Sequence, residues 1–423
     1  MDAIYLGEMR QGADTEVAIA SDGPLSHLPR PIAVQGPCPW WVRRAKPSRG
    51  LGQRPNVPTI LALAWIVILL ALSPVLAGPP ADRVAALRRG VNLTGWFRFP
   101  GSRDPAVLRA WMSDRAMADL HAAGFTFVRL AADPAMLDTP DMRLLLVEQA
   151  RRLRRHGLAV VVSAHPVGWR VDTKPEDAAR LVAFWREMAA ALRGTDPGGV
   201  FVEPMNEPVF HGAPAAWHDL QRRLLAAVRA ALPAHTVVLT GHDWGGIGGL
   251  LELPPVSDTN VVYSFHFYDP AELTSLAAYH PDLDRTGLAR LPFPVDDRAA
   301  CEQTAARAAD GPTRASMAFY CATGWDAPRV SNRLLDAALW ARRHNAVLLA
   351  GEFGASLRLN AAARLAWLRL VRETCEQHRI GWALWGYDDI MGFGVSRPLA
   401  NRPVLDRSTL AALGLVSANH ANR

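Results

Sequence analysis

Lysine is nearly missing from this chain: Lys46 and Lys174 are the only two among 46 basic residues in 423. The net charge of +6 therefore rests on arginine, and no dense run of arginines is interleaved with aromatics. The tightest cluster, Arg151, Arg152, Arg154 and Arg155, lies in a helical stretch just before an apolar strand. Basic side chains there read as a solvated helix face, so no nucleic-acid partner is expected. Cysteine is scarce too. Cys38, Cys301, Cys321 and Cys375 form no CxxC pair, which removes the common zinc frameworks, and no metal is expected. No GxGxxG or GxxxxGK turn follows the first strand, so nucleotide binding has no support. What is plentiful is apolar material: 50% of residues are hydrophobic, enough for a sizeable core.

The first part of the chain reads differently from the rest. Residues 1–56 lack an apolar period and are rich in glycine and proline, the composition of a disordered extension. Arg43, Arg44, Lys46, Arg49 and Arg54 then precede an apolar run, Thr59 to Leu72, ended by Pro74 and the small-residue exit Val75-Leu76-Ala77. A basic flank, a short apolar core and such an exit make residues 57–77 a secretory signal, with a mature chain starting near Gly78. The alternative is an uncleaved anchor tethering the chain to the inner membrane, although the core is short of the roughly 20 residues a span needs. Both readings place the remainder outside the cytoplasm, in the periplasm or beyond. In exported protein, Cys301 and Cys321 are expected to be bonded, with Cα atoms about 4.4–6.8 Å apart; free buried thiols are the alternative.

From residue 82 to 418 short apolar runs alternate with amphipathic helical patterns. The runs are Gly90–Trp96, Phe125–Ala131, Leu158–His165, Val200–Glu207, Thr236–Trp244, Val261–Tyr268, Val347–Phe353 and Gly381–Trp385. Helical patterns lie at Met142–Arg155, Pro175–Leu192, Ala215–Ala231 and Asn332–His344. Near-continuous apolar strands are buried on both faces, as in a parallel sheet. Eight strand–helix repeats predict a single (β/α)8 TIM barrel, a fold that takes roughly 250 residues or more.

Such barrels place their chemistry at the carboxyl ends of the strands, and here those ends gather Arg129, His165, Asn206, Glu207, His242, Asp243, Trp244, His266, Tyr268, Glu352 and Trp385. Glu207 and Glu352 end the fourth and seventh strands, on opposite sides of the mouth. Two opposed carboxyl groups, one protonated and one ionised, are what glycosidic-bond cleavage requires. Arg129 can keep one of them ionised, Asn206 can bind a sugar hydroxyl, and Trp385, with Trp96, Trp169 or Trp244, can stack on a pyranose. Glu203 reads as a structural carboxylate of the barrel interior, and Asp388 and Asp389 as loop or capping residues.

These residues carry a resemblance. Arg89-Gly-Val-Asn-Leu93, Phe127-Val-Arg-Leu130, Glu203-Pro-Met-Asn-Glu-Pro208, Tyr263-Ser-Phe-His-Phe-Tyr268, Gly351-Glu-Phe-Gly354 and Gly381-Trp-Ala-Leu-Trp385, in that order, resemble glycoside hydrolase family 5, the cellulase-like barrel glycosidases. The resemblance implies that Glu207 is the general acid/base and Glu352 the nucleophile of a retaining β-glycosidase. It implies that Arg129 and Tyr268 hydrogen-bond the nucleophile and that Asn206 meets the 2-hydroxyl of the sugar under attack. His165 and His266 would line that subsite and Trp385 would floor it. No cofactor is implied. Glu352's negative charge is expected to raise Glu207 so that it stays protonated near neutral pH. The sequence departs from the family after Arg129, where Leu-Ala-Ala-Asp133 stands in place of an early proline, so the adjoining subsite is expected to differ in shape.

The expected substrate is a β-linked glucan, β-1,4 first, with β-mannan and β-1,3-glucan as alternatives; a carbohydrate-binding barrel without catalysis is the alternative of another class. The segment Asp269–Arg329 is too long for a plain loop and is expected to shape the cleft. The protein is expected to act as a monomer, with no binding module after the barrel.

Overall fold

Each strand pairs with the next in chain order. In the computed structural model, β1 (Arg89–Phe97), β2 (Phe127–Ala132), β3 (Ala159–Ala164), β4 (Val200–Glu203), β5 (Val237–Thr240), β6 (Val261–Phe267), β7 (Leu348–Phe353) and β8 (Gly381–Leu384) close into one parallel barrel. β8 returns to β1 through Arg89 opposite Trp382. The structure describes residues 78–388, 392–399 and 402–416. The expected extension 1–56, the signal or anchor 57–77, Asp389 and the tail of the 82–418 segment lie outside the described residues. Among the described residues no helix is long and apolar enough to cross a membrane.

The helices between the strands start where their sequences say they should. α1 (Ala81–Ala86) precedes the barrel, and α2 (Pro105–Ala110) and α3 (Asp114–Ala123) join β1 to β2. Next come α4 (Pro140–Arg155), α5 (Pro175–Leu192), α6 (Pro214–Arg229) and α7 (Ile247–Leu251). Proline opens α4, α5 and α6, where its missing N–H costs nothing, and Thr139 caps α4 by accepting from the Met142 amide. The stretch between β6 and β7 is no loose loop. It folds into α8 (Ala271–Thr274), α9 (Arg285–Leu288), α10 (Arg298–Ala306) and α11 (Gly311–Thr323) before α12 (Ala327–His344). The Cys301–Cys321 disulfide ties α10 to α11, with Cα atoms 5.6 Å apart, inside the expected range. α13 (Ala361–Gln377) follows β7, and after β8 come the hairpin β9 (Ser396–Leu399) and β10 (Arg402–Leu405) and α14 (Arg407–Ala412).

Inside the barrel the pleat writes the layers. Successive strand side chains alternate between faces, so Phe127, Val161, Phe201, Val238, Val262, Leu349 and Ala383 form one apolar interior cluster with Leu87 and Ala159. Two residues further along β2 to β6 the same face carries Arg129, Ser163, Glu203, Thr240 and Ser264, all buried. The barrel is thus an apolar plug capped by a polar layer. The opposite face of each strand packs against the helices in a second, larger core.

β4 and β5 are shorter than the sequence suggested: they stop at Glu203 and Thr240, not at Glu207 and Trp244. The reason is backbone conformation. Glu207, Asp243 and Trp244 have φ of 40, 56 and 59°, in the left-handed region that no strand contains.

Candidate active site

Arg129 is the hub. It projects from the middle of β2 into the barrel, is fully buried, and donates to four partners. Its Nε reaches Glu203 Oε2 at 2.5 Å, and its terminal nitrogens reach Asn92 Oδ1 at 2.9 Å, Glu352 Oε1 at 2.6 Å and Asn206 Oδ1 at 2.8 Å. Burial alone would lower this guanidinium, but the charges of Glu203 and Glu352 outweigh it and hold the group above its ordinary value. Asn92 in β1 serves two sides, since its amide also donates to the carbonyls of Gly351 at 3.1 Å and Leu384 at 3.2 Å. Asn92 lies within the Arg89–Leu93 motif, where no role was expected of it. An asparagine inside a buried strand was the available signal, because asparagine is depleted in strands.

Glu352 reaches the interior through an irregularity. Leu349 faces inward, so strict alternation would bring Gly351 inward and turn Glu352 toward the helices. Instead the register with β6 slips: Phe265 faces Ala350, and the next residue, His266, faces Glu352. Gly351 is the extra residue of a β-bulge, which re-aims the following side chain. A Cβ at Gly351 would collide with Ser264 Oγ on the neighbouring strand, so only glycine lets the strands approach this closely. The aimed carboxylate is 3% exposed and accepts from Arg129 and, at 3.0 Å, from the Tyr268 hydroxyl.

Glu207 sits in the turn after β4, next to Asn206, whose amide nitrogen lies 3.4 Å from its Oε2. Its left-handed backbone is a strained conformation for a side-chain-bearing residue, about 1–2 kcal/mol. The surroundings fix it. The Asn206 amide donates to Ala164 O at 2.8 Å, Asp243 N to Val209 O at 2.9 Å, and Trp244 N to Pro208 O at 3.1 Å. Strain held this firmly is a common mark of a working site.

His266 stands between the two glutamates, its Nδ1 2.9 Å from Glu207 Oε1 and 3.5 Å from Glu352 Oε2. Burial would lower this imidazole; the charge of Glu352 and the bond to Glu207 outweigh burial and raise it. Burial would raise Glu207, but the His266 bond and charge bring it below the usual carboxylate range. Glu352 goes the other way: burial lifts it in spite of His266 and Arg129. The direction for Glu207 is thus opposite to the expected elevation. The physical reason is His266, whose hydrogen bond and charge favour the ionised form of Glu207. The three groups titrate as one unit.

One ligand atom from each of Glu207, His266 and Glu352 lies within 4.8 Å of the others, close enough to hold a divalent cation, although the adjacent Arg129 charge opposes one.

The remaining rim residues divide. His165 is 2% exposed, and neither ring nitrogen has a hydrogen-bond partner among the described residues. Burial, then Arg98, Arg129 and His266, keep it neutral. Its ring stacks on Trp385 with centroids 6.2 Å apart, and Arg98 lies 5.7 Å over the Trp385 ring. Trp96 is no sugar platform: it is fully buried, stacks on Trp111 and donates to Leu108 O at 2.7 Å. Trp169 has Arg180 over its ring at 4.1 Å. Trp244 is the open one, 43% exposed. His242 turns away to Glu252, 3.2 Å from its Nε2, and His211 pairs with Asp243 at 2.9 Å. Asp388 accepts from the Thr94 amide at 3.4 Å, tying the exit of β8 to β1.

Known proteins are similar to this chain in sequence and in fold. The family model for cellulases (glycosyl hydrolase family 5) matches residues 89–389. Endoglucanase 3 of Fibrobacter succinogenes is 23% identical over 330 residues, covering 71% of this chain and 49% of that one, so the chain spans about half of that relative's length. Endoglucanase C of Acetivibrio thermocellus is 21% identical over 321 residues, 72% of this chain and 92% of its own. The crystal structure of endoglucanase Cel5A from Thermotoga maritima superposes with a TM-score of 0.64 at 22% identity, covering 79% of this chain and 99% of that one.

Proposed function

The chain belongs to glycosyl hydrolase family 5 and is a glycoside hydrolase, and from that premise we propose that it cleaves β-1,4-linked glucan internally, with retention, using Glu352 as nucleophile and Glu207 as acid and base. One observation carries the reading: an oxygen of Glu207 and an oxygen of Glu352 approach within 4.8 Å. Retaining sites hold their carboxyl groups about 5–5.5 Å apart, whereas inverting sites need about 6.5–9.5 Å to admit a water.

The chemistry follows from the contacts. Glu352, held by Arg129 and Tyr268, attacks the anomeric carbon as the bond to the leaving oxygen breaks. The proton for that oxygen comes from Glu207, and in the resting site it is stored on the His266–Glu207 hydrogen bond, 2.9 Å long. Water then gives its proton to Glu207 and releases the sugar from Glu352, restoring both groups. The amide nitrogen of Asn206 and the unpartnered nitrogens of His165 are the groups free to hold sugar hydroxyls, above Trp385 as floor. Trp244, anchored beside Glu207 through Pro208, offers its face on the leaving-group side.

Incubation with carboxymethylcellulose, mixed-linkage β-glucan, β-1,3-glucan and β-mannan separates the candidates. The expected result is a fall in viscosity of carboxymethylcellulose outpacing the appearance of reducing ends. Release from mannan or from β-1,3-glucan alone would move the substrate to that polymer. Binding to all four with no release would make the barrel a lectin-like module and sink the catalytic reading.

Residues 57–77 support export, and the Cys301–Cys321 bond belongs to an oxidising compartment. Protein recovered from the native host is expected to begin near Gly78 and to be free of membranes. A full-length chain that sediments with the inner membrane would make the segment an anchor instead.

A further inference from the structure

Arg129 serves two carboxylates, and only one of them has been given work. Glu203 is 1% exposed, the last residue of β4, and takes the guanidinium at Nε while Glu352 takes it at a terminal nitrogen. Its other oxygen has no hydrogen-bond partner among the described residues. A carboxylate wanted only for packing would be a poor choice here, because burying it costs more than burying a neutral group of the same shape.

We propose that Glu203 is a positioning residue of the active site, which aims the Arg129 fork at Glu352 and withholds part of its charge from that nucleophile. This rests on Glu352 being the nucleophile.

Both effects come from the geometry. A guanidinium is planar and rigid, so pinning Nε fixes where the terminal nitrogens point. One cation between two buried carboxylates compensates each only in part. The other charged or titratable groups facing Glu352 are His266 and Tyr268 from β6 and its exit, Glu207 from beyond β4, and Arg98 from beyond β1. His165 adds no charge. With Glu203 ionised, Glu352 stays a stronger base, and a stronger base attacks faster. Replace Glu203 by a neutral group and Arg129 belongs to Glu352 alone. Repulsion between the two carboxylates disappears as well. Each change favours ionised Glu352, so its proton leaves at lower pH. The proton on the His266–Glu207 bond is also held less tightly, for want of one nearby negative charge.

The test is the pH profile of kcat/KM on a soluble cello-oligosaccharide, whose departing sugar needs the acid's proton, with wild type, Glu203→Gln and Glu203→Asp. Glutamine keeps the shape and can still accept from Arg129 Nε. Its acid limb should move down by roughly one unit, the low end for a change in a neighbouring charge, and the alkaline limb should move the same way. Aspartate keeps the charge on a shorter stem. It should lose rate because Arg129 is no longer held, with its acid limb where wild type has it. If the glutamine variant loses rate but keeps both limbs, or if aspartate shifts them as far as glutamine does, Glu203 is only structural and the proposal fails. Trapping with a 2-deoxy-2-fluoro-β-cellobioside, followed by peptide mass analysis, keeps the premise separate. A label on any residue but Glu352 overturns the nucleophile assignment; a label on Glu352 with unmoved limbs overturns the role of Glu203 alone.

Discussion

Glu352→Ala should lose turnover on every glycoside by more than about 10⁵-fold, the scale of losses when an enzyme's nucleophile is removed. No glycosyl ester can form without that carboxylate, whatever the leaving group. Glu207→Ala should behave otherwise. Acid assistance is typically worth about 10²–10⁴-fold, but an aryl leaving group of low basicity departs without it. Such a substrate should still load Glu352, and the ester should then accumulate because no base activates water. Azide needs no base and should restore turnover, yielding the β-glycosyl azide, since two displacements at one carbon retain configuration. Rescue of the Glu352 variant to the α-azide, with none for the Glu207 variant, would exchange the two assignments.

Arg129→Ala should be the most damaging change for the fold. It strands Glu203 and Glu352, both nearly fully buried, without their cation. Removing one partner of a buried ion pair costs about 3–5 kcal/mol. The pH dependence has a definite sign. In the variant Glu352, which burial already raises, would lie still further above its unfolded value of roughly 4. Its protonated form is tolerated in the folded state, so stability is greatest below the unfolded value and is lost as pH rises through the folded one. Urea unfolding at pH 5 and pH 7.5 should therefore show a deficit against wild type that is smaller at the lower pH. Arg129→Lys should recover part of the stability and little of the rate, because an ammonium cannot serve four acceptors in fixed directions. A deficit below about 1 kcal/mol, or one independent of pH, would contradict the buried-charge account.

Much of this was legible before any coordinates. The eight apolar runs placed every strand of the barrel within a few residues, because strands covered on both faces must be apolar throughout. Pro175–Leu192 was read to the residue, since proline marks a helix start. The rim residues were found for the same reason in reverse: polar groups at the end of a buried strand have no packing explanation. What stayed hidden depends on conformations that pattern does not encode. The left-handed turns at Glu207, Asp243 and Trp244 ended β4 and β5 early, because residues in a tight turn can be as apolar as a strand. Trp96 and Trp244 look alike in a sequence, yet one is core and the other open. The opposite directions of the two glutamates hang on His266 standing between them, a three-body arrangement that no linear spacing reveals. The bulge at Gly351 belongs here too, since a single glycine in a strand marks a bulge only once the neighbouring register is known.

The apolar plug beneath the polar layer has a consequence for the order of events. Phe127, Phe201 and Leu349 belong to the cluster that fills the barrel below Arg129, so water cannot reach the polar layer from beneath. Under the proposed assignment, the departing sugar and the water of the second displacement would both have to pass through the mouth of the barrel. With Glu352 as the proposed nucleophile, its ester would be sheltered until the first product has gone, and whatever nucleophile next fills the vacated position would decide whether the sugar is released or passed on.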